Sequence, residues 1–252
     1  MRYRTCVFAA ALVCATSGAV AAQTPSDQKF TPLELAAACA PPPTLGGEPG
    51  GAPHVIGSQD TFPKRLFGVH DLLVLDTGTK SGVELGRQFF VRRASRFAMG
   101  ADGRARGTTT VGWVHVVAVN ESTAIAVVDQ ACGGIIIGDY LETFVAPVLP
   151  PNADRDERVG EPNFTEMGRV VIGNEDRLSV GIGDFTLIDR GSEQGLTPGT
   201  RFSVYRDVRV SGMPLASVGE GIVIATGGSV SVTRITNARD AVISGDYVAI
   251  RK

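Results

Sequence analysis

The sequence predicts an all-β protein made of two tandem, related small domains of the β-barrel or sandwich type. Three observations support this: an internal repeat, short runs of β-branched and aromatic residues, and glycine turns at matching places in the two copies. Residues 71–93 and 111–144 align with residues 184–206 and 218–251, with 18 of 57 positions identical. Unrelated segments of this composition would share roughly four. The chain therefore contains one supersecondary unit twice.

Each copy is predicted to consist of about five short strands with little helix. In the first copy the strands are Leu72 to Leu75, Phe89 to Arg93, Trp113 to Val119 and Thr123 to Val128. In the second copy they are Phe185 to Ile188, Arg201 to Tyr205, Gly221 to Ala225, Ser229 to Ile235 and Tyr247 to Ile250. Polar and apolar residues alternate from Ser229 to Ile235, which predicts one face on a core and the other in water.

Short matches outside the main alignment extend the repeat. Upstream of the first strand, Val55-Ile56-Gly57 is aligned with Val171-Ile172-Gly173. The matched turn residues are Asp76, Gly78 and Gly86 in the first copy, and Asp189, Gly191, Pro198 and Gly199 in the second. Pro198 and Gly199 fit the central positions of a type II turn, where the glycine takes a positive φ. Each aspartate is predicted to accept a hydrogen bond from its own turn, so these residues are interpreted as determinants of folding.

The N-terminus has the pattern of a secretory signal peptide. Arg2 and Arg4 precede an apolar run, and small residues end at Ala22, so residues 1–22 are expected to be cleaved near that position. The apolar run is too short to cross a bilayer, and no later run is long enough. We therefore expect a periplasmic or secreted protein without a membrane-spanning segment.

The remaining regions frame the repeats. Residues 23–53 are predicted to hold a short helix from Pro32 to Cys39 and then a Gly/Pro-rich extended tether. The β-domains are assigned to residues 54–145 and 167–252. Residues 146–166, rich in proline and charge, are interpreted as an exposed linker; alternatively, two tightly packed domains share this segment.

Charge and cysteine content restrict the class of protein further. Without residues 1–22 the chain carries 22 basic and 26 acidic residues, a net charge of -4. This balance argues against binding to nucleic acid or to an anionic membrane. Cys39 and Cys132 remain after cleavage and are expected to form a disulfide in an oxidising compartment. The alternative is two separate thiols.

The second copy resembles β-rich regions of bacterial envelope proteins. The residues that carry the resemblance are Gly183 to Ser192, Gly195 to Gly199, Phe202 to Arg206, Val218 to Gly221 and Gly245 to Ala249. Such regions accompany peptidoglycan-binding LysM domains and are similar to the C-terminal domain of the flagellar assembly protein T. The resemblance covers residues 168–251 and, more loosely, 54–144, and it implies a periplasmic, non-enzymatic module of envelope assembly. Because the chain has no LysM segment of its own, the resemblance assigns no ligand-contacting residue.

Side chains suited to catalysis are few. None of the histidines, His54, His70 and His115, recurs between the copies or stands in a zinc-binding spacing. Ser192 comes one position too early for the G-x-S-x-G motif of a nucleophile elbow. No glycine-rich loop opens onto a helix, as a nucleotide phosphate would require. We therefore expect no enzyme activity, no metal and no cofactor.

Two features of the first copy are candidates for contact with a partner. A segment six residues longer than its counterpart concentrates arginines, namely Arg92, Arg93, Arg96, Arg104 and Arg106. It is predicted to be a flexible hairpin tip that contacts an anionic polymer or an acidic partner, or that is merely solvated. Trp113, the only tryptophan, is either a partner contact or part of the core.

Together these features predict an exported, non-enzymatic binding or assembly module of the bacterial cell envelope. Its partner is expected to be an envelope protein or a cell-wall polymer. One alternative is a subunit of a larger, flagellar-type complex whose strand edges pair with other chains. The other alternative is a hydrolase of a wall polymer, which would need two acids, or a serine and a histidine, in one cleft.

Overall fold

The computed structural model describes residues 30–99, 103–173 and 177–252, including all side chains except those of residues 96–99 and 103–106. The predicted signal peptide, residues 1–22, lies outside the described residues. The described chain is nearly all β, as the sequence predicts, with a single short α-helix. Within these ranges no helix has the length and apolar character needed to cross a membrane.

The elements follow one another along the chain with few irregular stretches. They are α1 (Pro32–Ala38), β1 (Val55–Ser58), β2 (Leu72–Leu75), β3 (Gln88–Met99), β4 (Gly103–Val119), β5 (Ala124–Ala131), β6 (Tyr140–Thr143), β7 (Gly168–Gly173), β8 (Ser179–Val180), β9 (Phe185–Ile188), β10 (Arg201–Arg206), β11 (Ala216–Thr226), β12 (Ser231–Ala238), β13 (Val242–Ile243) and β14 (Tyr247–Ile250).

Six strands from each copy form an antiparallel sheet with the same strand order. The first sheet has the order β1-β2-β5-β4-β3-β6, and the second has the equivalent order β7-β9-β12-β11-β10-β14, closed into a barrel where β14 pairs with β7. The outer strands of the first sheet also meet, through a bridge between His54 and Tyr140 and a 2.7 Å hydrogen bond from Leu141 N to Pro53 O. We call the two units the first and second barrel.

The longer segment of the first copy is an extended β-ribbon. Strands β3 and β4 have 12 and 17 residues, whereas the equivalent β10 and β11 have 6 and 11. The register pairs Arg92 with Thr110 and continues to Met99 and Gly103. The extra residues therefore lengthen both strands of the hairpin, and the tip that was predicted to be flexible, residues 100–102, lies outside the described residues.

At β1 the structure shifts the sequence alignment by one residue. Val55 pairs with Leu75, and Val170, rather than Val171, pairs with the equivalent Ile188. The predicted match of Val55-Ile56-Gly57 to residues 171–173 was therefore wrong. If β1 shifted by one residue against its partner strand, its buried side chains would face water. The burial of these side chains therefore decides the pairing register, and a sequence match of three residues does not.

Each barrel encloses its own apolar core. The wholly buried residues of the first core include Val55, Phe67, Leu73, Leu75, Val91 and Ile135. Those of the second include Ile188, Phe202, Val204, Val223, Ile235 and Val248. Each unit therefore has the separate core expected of a domain.

Helix α1 lies between the outer faces of the two barrels. One of its sides, with Leu35, Ala38 and Cys39, packs against Phe90 and Trp113 of the first barrel. The other side packs on the second barrel. The residues in that contact are Leu33, Ala36, Ala37 and Ala40 from the helix region, and Val171, Ile172, Phe185, Leu187, Ile222, Ile224 and Val232 from the barrel. At 3.6 residues per turn these two sets lie on opposite sides of the helix, so α1 is a two-faced wedge.

A capping box begins the helix as the sequence predicts. The Thr31 side chain accepts a hydrogen bond from Glu34 N, and the Glu34 carboxylate accepts one from Thr31 N at 2.8 Å. The hydrogen bonds that this carboxylate accepts from Thr31 N and from the Thr31 hydroxyl lower the pKa of Glu34 below its ordinary value. The helix ends at Ala38, one residue earlier than predicted, because Cys39 forms its C-cap.

Strand β12 does not have the predicted water-facing side. Ser231 and Thr233 are wholly buried and share the interior side of the strand with Ile235. Val232, on the outer side, is also buried because the helix region and the segment between the barrels cover it. The prediction of one exposed face was wrong because local alternation does not reveal a covering element.

The repeated aspartates bond to neighbouring strands instead of to their own turns. Asp76 Oδ1 accepts a hydrogen bond from His54 N at 2.5 Å, and Asp189 Oδ1 accepts one from Arg169 N at 2.6 Å. The type II turn is present, since Gly199 has φ 95° and Thr200 N donates to Thr197 O at 3.1 Å. Each aspartate therefore fixes the start of the adjacent strand.

Gly78 is required because backbone passes directly over it. A Cβ at this position would lie 2.4 Å from Asn120 O, and one at the equivalent Gly191 would lie 2.4 Å from Gly228 O. We expect Gly78→Ala to lower the free energy of unfolding of the first barrel by about 1 to 3 kcal/mol. Gly57→Ala is the control, because a Cβ there meets nothing within 4 Å. Urea denaturation of both variants measures the difference, and equal midpoints would refute the steric explanation.

Candidate functional site

A groove of about 760 Å³ runs between the two barrels. The lining residues are Ala37, Ala38, Ala40, Pro41, Pro42 and Pro43 from the helix region; Phe90, Arg92, Glu142 and Thr143 from the first barrel; Val145, Ala146, Pro147, Val148, Leu149, Pro150 and Pro151 from the connecting segment; and Pro198, Ile224, Ala225, Thr226 and Val232 from the second barrel. Four separate parts of the chain thus build one site at a domain interface, where binding pockets commonly occur.

Proline gives the walls of this groove their chemistry. Seven lining residues are prolines: Pro41, Pro42, Pro43, Pro147, Pro150, Pro151 and Pro198. Proline has a fixed φ and no N–H, so walls rich in proline are rigid, apolar and poor in hydrogen-bond donors. Val145 and Val148 are 70% and 84% exposed beside these prolines. The groove therefore suits an apolar segment.

The segment that connects the barrels is fixed to the second barrel. Arg201 donates from Nη1 to Arg155 O at 2.6 Å and from Nη2 to Asn152 O at 2.9 Å. Arg234 Nη1 donates to Ala153 O at 3.0 Å, and Ala153 is buried. Of the two interpretations of residues 146–166, the structure favours a segment shared by packed domains. This attachment keeps one wall of the groove in place.

The predicted disulfide is confirmed. Cys39 and Cys132 are bonded, with Cα atoms 5.4 Å apart. Cys39 caps α1 and Cys132 follows β5, so the bond ties the wedge helix to the first barrel. The disulfide therefore anchors the helix that forms another wall of the groove.

Trp113 belongs to an aromatic cluster beneath α1. It is 3% exposed, and its ring lies 5.6 Å from that of Phe144 and 6.1 Å from that of Phe30. Phe90 and the disulfide complete this cluster. Of the two alternatives for Trp113, the structure favours core packing over contact with a partner.

Arg92 is not part of an exposed basic tip. Its side chain is 7% exposed, and it lies over the ring of Phe90 with 4.1 Å between the guanidinium carbon and the ring centroid. It donates from Nε to Glu142 at 3.1 Å and from Nη1 to the Thr110 hydroxyl, which in turn donates to Ala40 O. Burial lowers the pKa of Arg92 below its ordinary value. Arg92 is buried because Phe90 and the chain at Ala40, two residues after α1, cover this part of the ribbon.

Arg93 forms a buried ion pair that recurs in the second copy. Its Nε and Nη2 donate to the two carboxylate oxygens of Asp139, each at 2.7 Å. Arg206 donates to Asp246 in the same way, at 2.8 and 2.7 Å. Both pairs join residues that the sequence alignment matches. The pair gives Arg93 a structural role; because its side chain is 36% exposed, its contact with a partner stays a prediction.

The remaining candidates in the basic segment are Arg96, Arg104 and Arg106. The register pairs Arg96 with Arg106 and Ala98 with Arg104 across the ribbon. Their side chains lie outside the part of the chain whose side chains are described. Contact between these three positions and a partner stays a prediction.

Histidine and carboxylate pairs occur at separate places. His115 Nδ1 lies 2.6 Å from Asp129 Oδ1 on the first barrel, and His54 Nε2 lies 2.8 Å from Glu48 Oε1. Among the described residues, no group of three or more His, Cys, Asp and Glu side chains is arranged to hold a metal ion. The expectations about catalysis, metal and cofactor stay predictions.

Comparison with known proteins adds no family to these observations. No protein-family model matches the chain, and no curated protein matches its sequence. Any inference about function therefore depends on the chain's own chemistry.

Proposed function

We propose that this protein is an exported, non-enzymatic module of the bacterial cell envelope that binds a partner in the groove between its barrels. The single observation that carries the proposal is the groove itself. It joins apolar walls and exposed valines at a domain interface. The walls of the groove are already formed in the free protein, so binding would not require them to become ordered.

The chemistry of the groove favours a protein partner over a wall polymer. A glycan carries many hydroxyl groups, and burying them without hydrogen bonds would be costly. An extended peptide instead brings apolar side chains, which the exposed valines and the proline walls complement. The charged side chains in the lining, Arg92 and Glu142, already bond to each other, and the other polar side chains there are the hydroxyls of Thr143 and Thr226. We therefore assign the groove to an apolar segment of an envelope protein.

The disulfide supports the exported location. Structural disulfides persist in oxidising compartments and are rare in the cytosol. The Cys39–Cys132 bond closes a loop across 93 residues and anchors α1. An exported address is also what the signal-peptide pattern of residues 1–22 predicts.

A second candidate function is strand pairing along the ribbon. Strand β3 pairs with β6 only as far as Arg92, and β4 pairs with β5 only from Gly112. Beyond those residues the two ribbon strands pair only with each other in the described sheet. Two strand edges are thus left for another chain to extend, as the alternative of a larger complex requires.

The test compares matched variants in capture from envelope extract. Val148→Asp places a charge in the groove, and Val159→Asp places the same charge on an exposed valine of the same segment, outside the groove lining. We expect Val148→Asp to reduce recovery of the main captured protein at least tenfold, as for loss of a central contact, roughly 2 kcal/mol. Val159→Asp should recover as much as the native protein.

Two further arms separate the rival functions. Replacing Arg96, Arg104 and Arg106 with serine tests the ribbon, and sedimentation with purified peptidoglycan tests a wall polymer. If only the serine variant fails to capture the envelope protein, the binding site lies on the ribbon and not in the groove. Equal capture by Val148→Asp and Val159→Asp would overturn the groove proposal, as would sedimentation with peptidoglycan that neither valine change reduces.

A further inference from the structure

The geometry points to an anion-binding site on the second barrel, where Arg169 and Arg209 face a pocket beside Tyr247. The pocket has a volume of about 520 Å³ and lies between the start of β7, the end of β10 and the start of β14. It is separate from the groove, and the inference does not depend on the proposed function.

Arg169 is held rigidly and keeps donors free. Its guanidinium carbon lies 3.6 Å from the ring centroid of Tyr247, and its Nη1 donates to Gly245 O at 2.8 Å. In the described part of the chain no carboxylate lies within 4.0 Å of this guanidinium. The stacking and the carbonyl fix the plane of the group, so its other N–H donors are already ordered for a ligand.

Arg169 and Arg209 are the cations of the pocket that remain available to a ligand, because the other arginine of the lining is already paired. Arg206 is engaged by Asp246 and, at 3.1 Å, by Asp240. Asp207 accepts a hydrogen bond from Arg209 N at 2.7 Å, which fixes a turn where Arg209 has a left-handed φ of 56°. Asp207 is the remaining negative charge of the lining. One anionic group bound by two arginines would balance the site.

The first barrel has no equivalent open pocket at the corresponding position among its described residues. His54 stands where the second barrel has Arg169, and its ring lies near two carboxylates, Glu48 at 2.8 Å and Asp76 at 3.6 Å. Tyr140, the counterpart of Tyr247, is 4% exposed, and its hydroxyl is 2.8 Å from the Thr108 hydroxyl of the ribbon. The second barrel has the shorter hairpin and leaves its tyrosine at an open pocket. The two copies thus differ in the features that a bound anion would need.

The ligand class follows from the donors. A guanidinium binds carboxylate and phosphate groups through paired N–H donors, and it does so best when it is already oriented. The site would therefore take a small oxyanion or the anionic end group of a larger molecule.

The test titrates the mature protein, residues 23–252, with inorganic phosphate and with succinate at constant ionic strength. Backbone and arginine side-chain NMR shifts report binding. We expect either anion to move the signals of Arg169, Arg209 and Gly245 with saturation. Arg169→Gln should weaken binding at least about tenfold, as expected for loss of a charged hydrogen bond. Arg158→Gln, the same charge change on an exposed arginine outside the pocket, should change it by less than about twofold.

Tyr247→Leu keeps the charge of Arg169 and removes the ring that orients it. We expect it to weaken binding severalfold, and Tyr247→Phe to restore native affinity. Saturation by phosphate alone, or by succinate alone, would identify the preferred oxyanion. Unchanged pocket signals with both anions, or equal affinities of the native protein, Arg169→Gln and Arg158→Gln, would overturn the site.

Discussion

Replacing both Cys39 and Cys132 with serine is expected to lower the free energy of unfolding of the first barrel by about 4 to 5 kcal/mol. The bond spans 93 residues, and a loop of that length restricts the unfolded chain by this amount in the chain-entropy description. Loss of the bond also frees the C-cap of α1, so amide exchange in Pro32–Ala38 should increase. Urea denaturation and hydrogen exchange measure the two effects.

The native protein under reducing conditions is the matched control for this variant. It should unfold at the same urea concentration as the serine variant, because both lack the same covalent link. If reduction and substitution both leave the midpoint unchanged, the disulfide does not anchor the wedge helix.

Asp246→Asn is expected to lower the free energy of unfolding of the second barrel by about 3 kcal/mol, the lower end of the cost of breaking a buried ion pair, because Asp246 is buried but Arg206 is 26% exposed. The Asp246 side chain is 2% exposed and accepts two hydrogen bonds from Arg206 and one from Ile243 N. The bond with Asp246 is the main cause that raises the pKa of Arg206 above its ordinary value. The amide would place a donor against these donors and leave Arg206 without its buried partner.

Asp240→Asn is the control, because Asp240 contacts the same Arg206 from a 70% exposed position. An exposed ion pair contributes at most about 1 kcal/mol, so this variant should unfold close to the native protein. Asp139→Asn should lower the free energy of unfolding of the first barrel by a similar amount. Equal midpoints for Asp246→Asn and Asp240→Asn would show that burial does not set the strength of this pair.

Features that depend on residues close together in the chain, or on the internal repeat, could be predicted from the sequence. The capping box at Thr31 and Glu34, the turn at Pro198 and Gly199, and most strands were predicted close to their observed positions. The disulfide could be predicted because cleavage would leave only two cysteines. The partnership of Arg93 with Asp139 was also visible in principle, since both residues recur in the second copy.

What the sequence could not show depends on contacts between distant elements. Arg92 was placed in a flexible basic segment, and Trp113 was left open between core and partner contact. The helix region covers both from more than 50 residues away in the chain. The same helix region buries Val232, so the face of β12 that was expected to be exposed to water is covered. The groove was missed for this reason too, because its prolines come from three separate segments and meet only when the barrels pack.

The most direct test of partner binding in the groove is photo-crosslinking in the native host. A photo-reactive amino acid at position 148 reports what lies in the groove, and the same residue at position 159 reports a nearby surface outside it. We expect position 148 to crosslink one discrete envelope protein and position 159 to give no such product. The same products from both positions, or none from position 148, would contradict the proposal that the groove binds a partner.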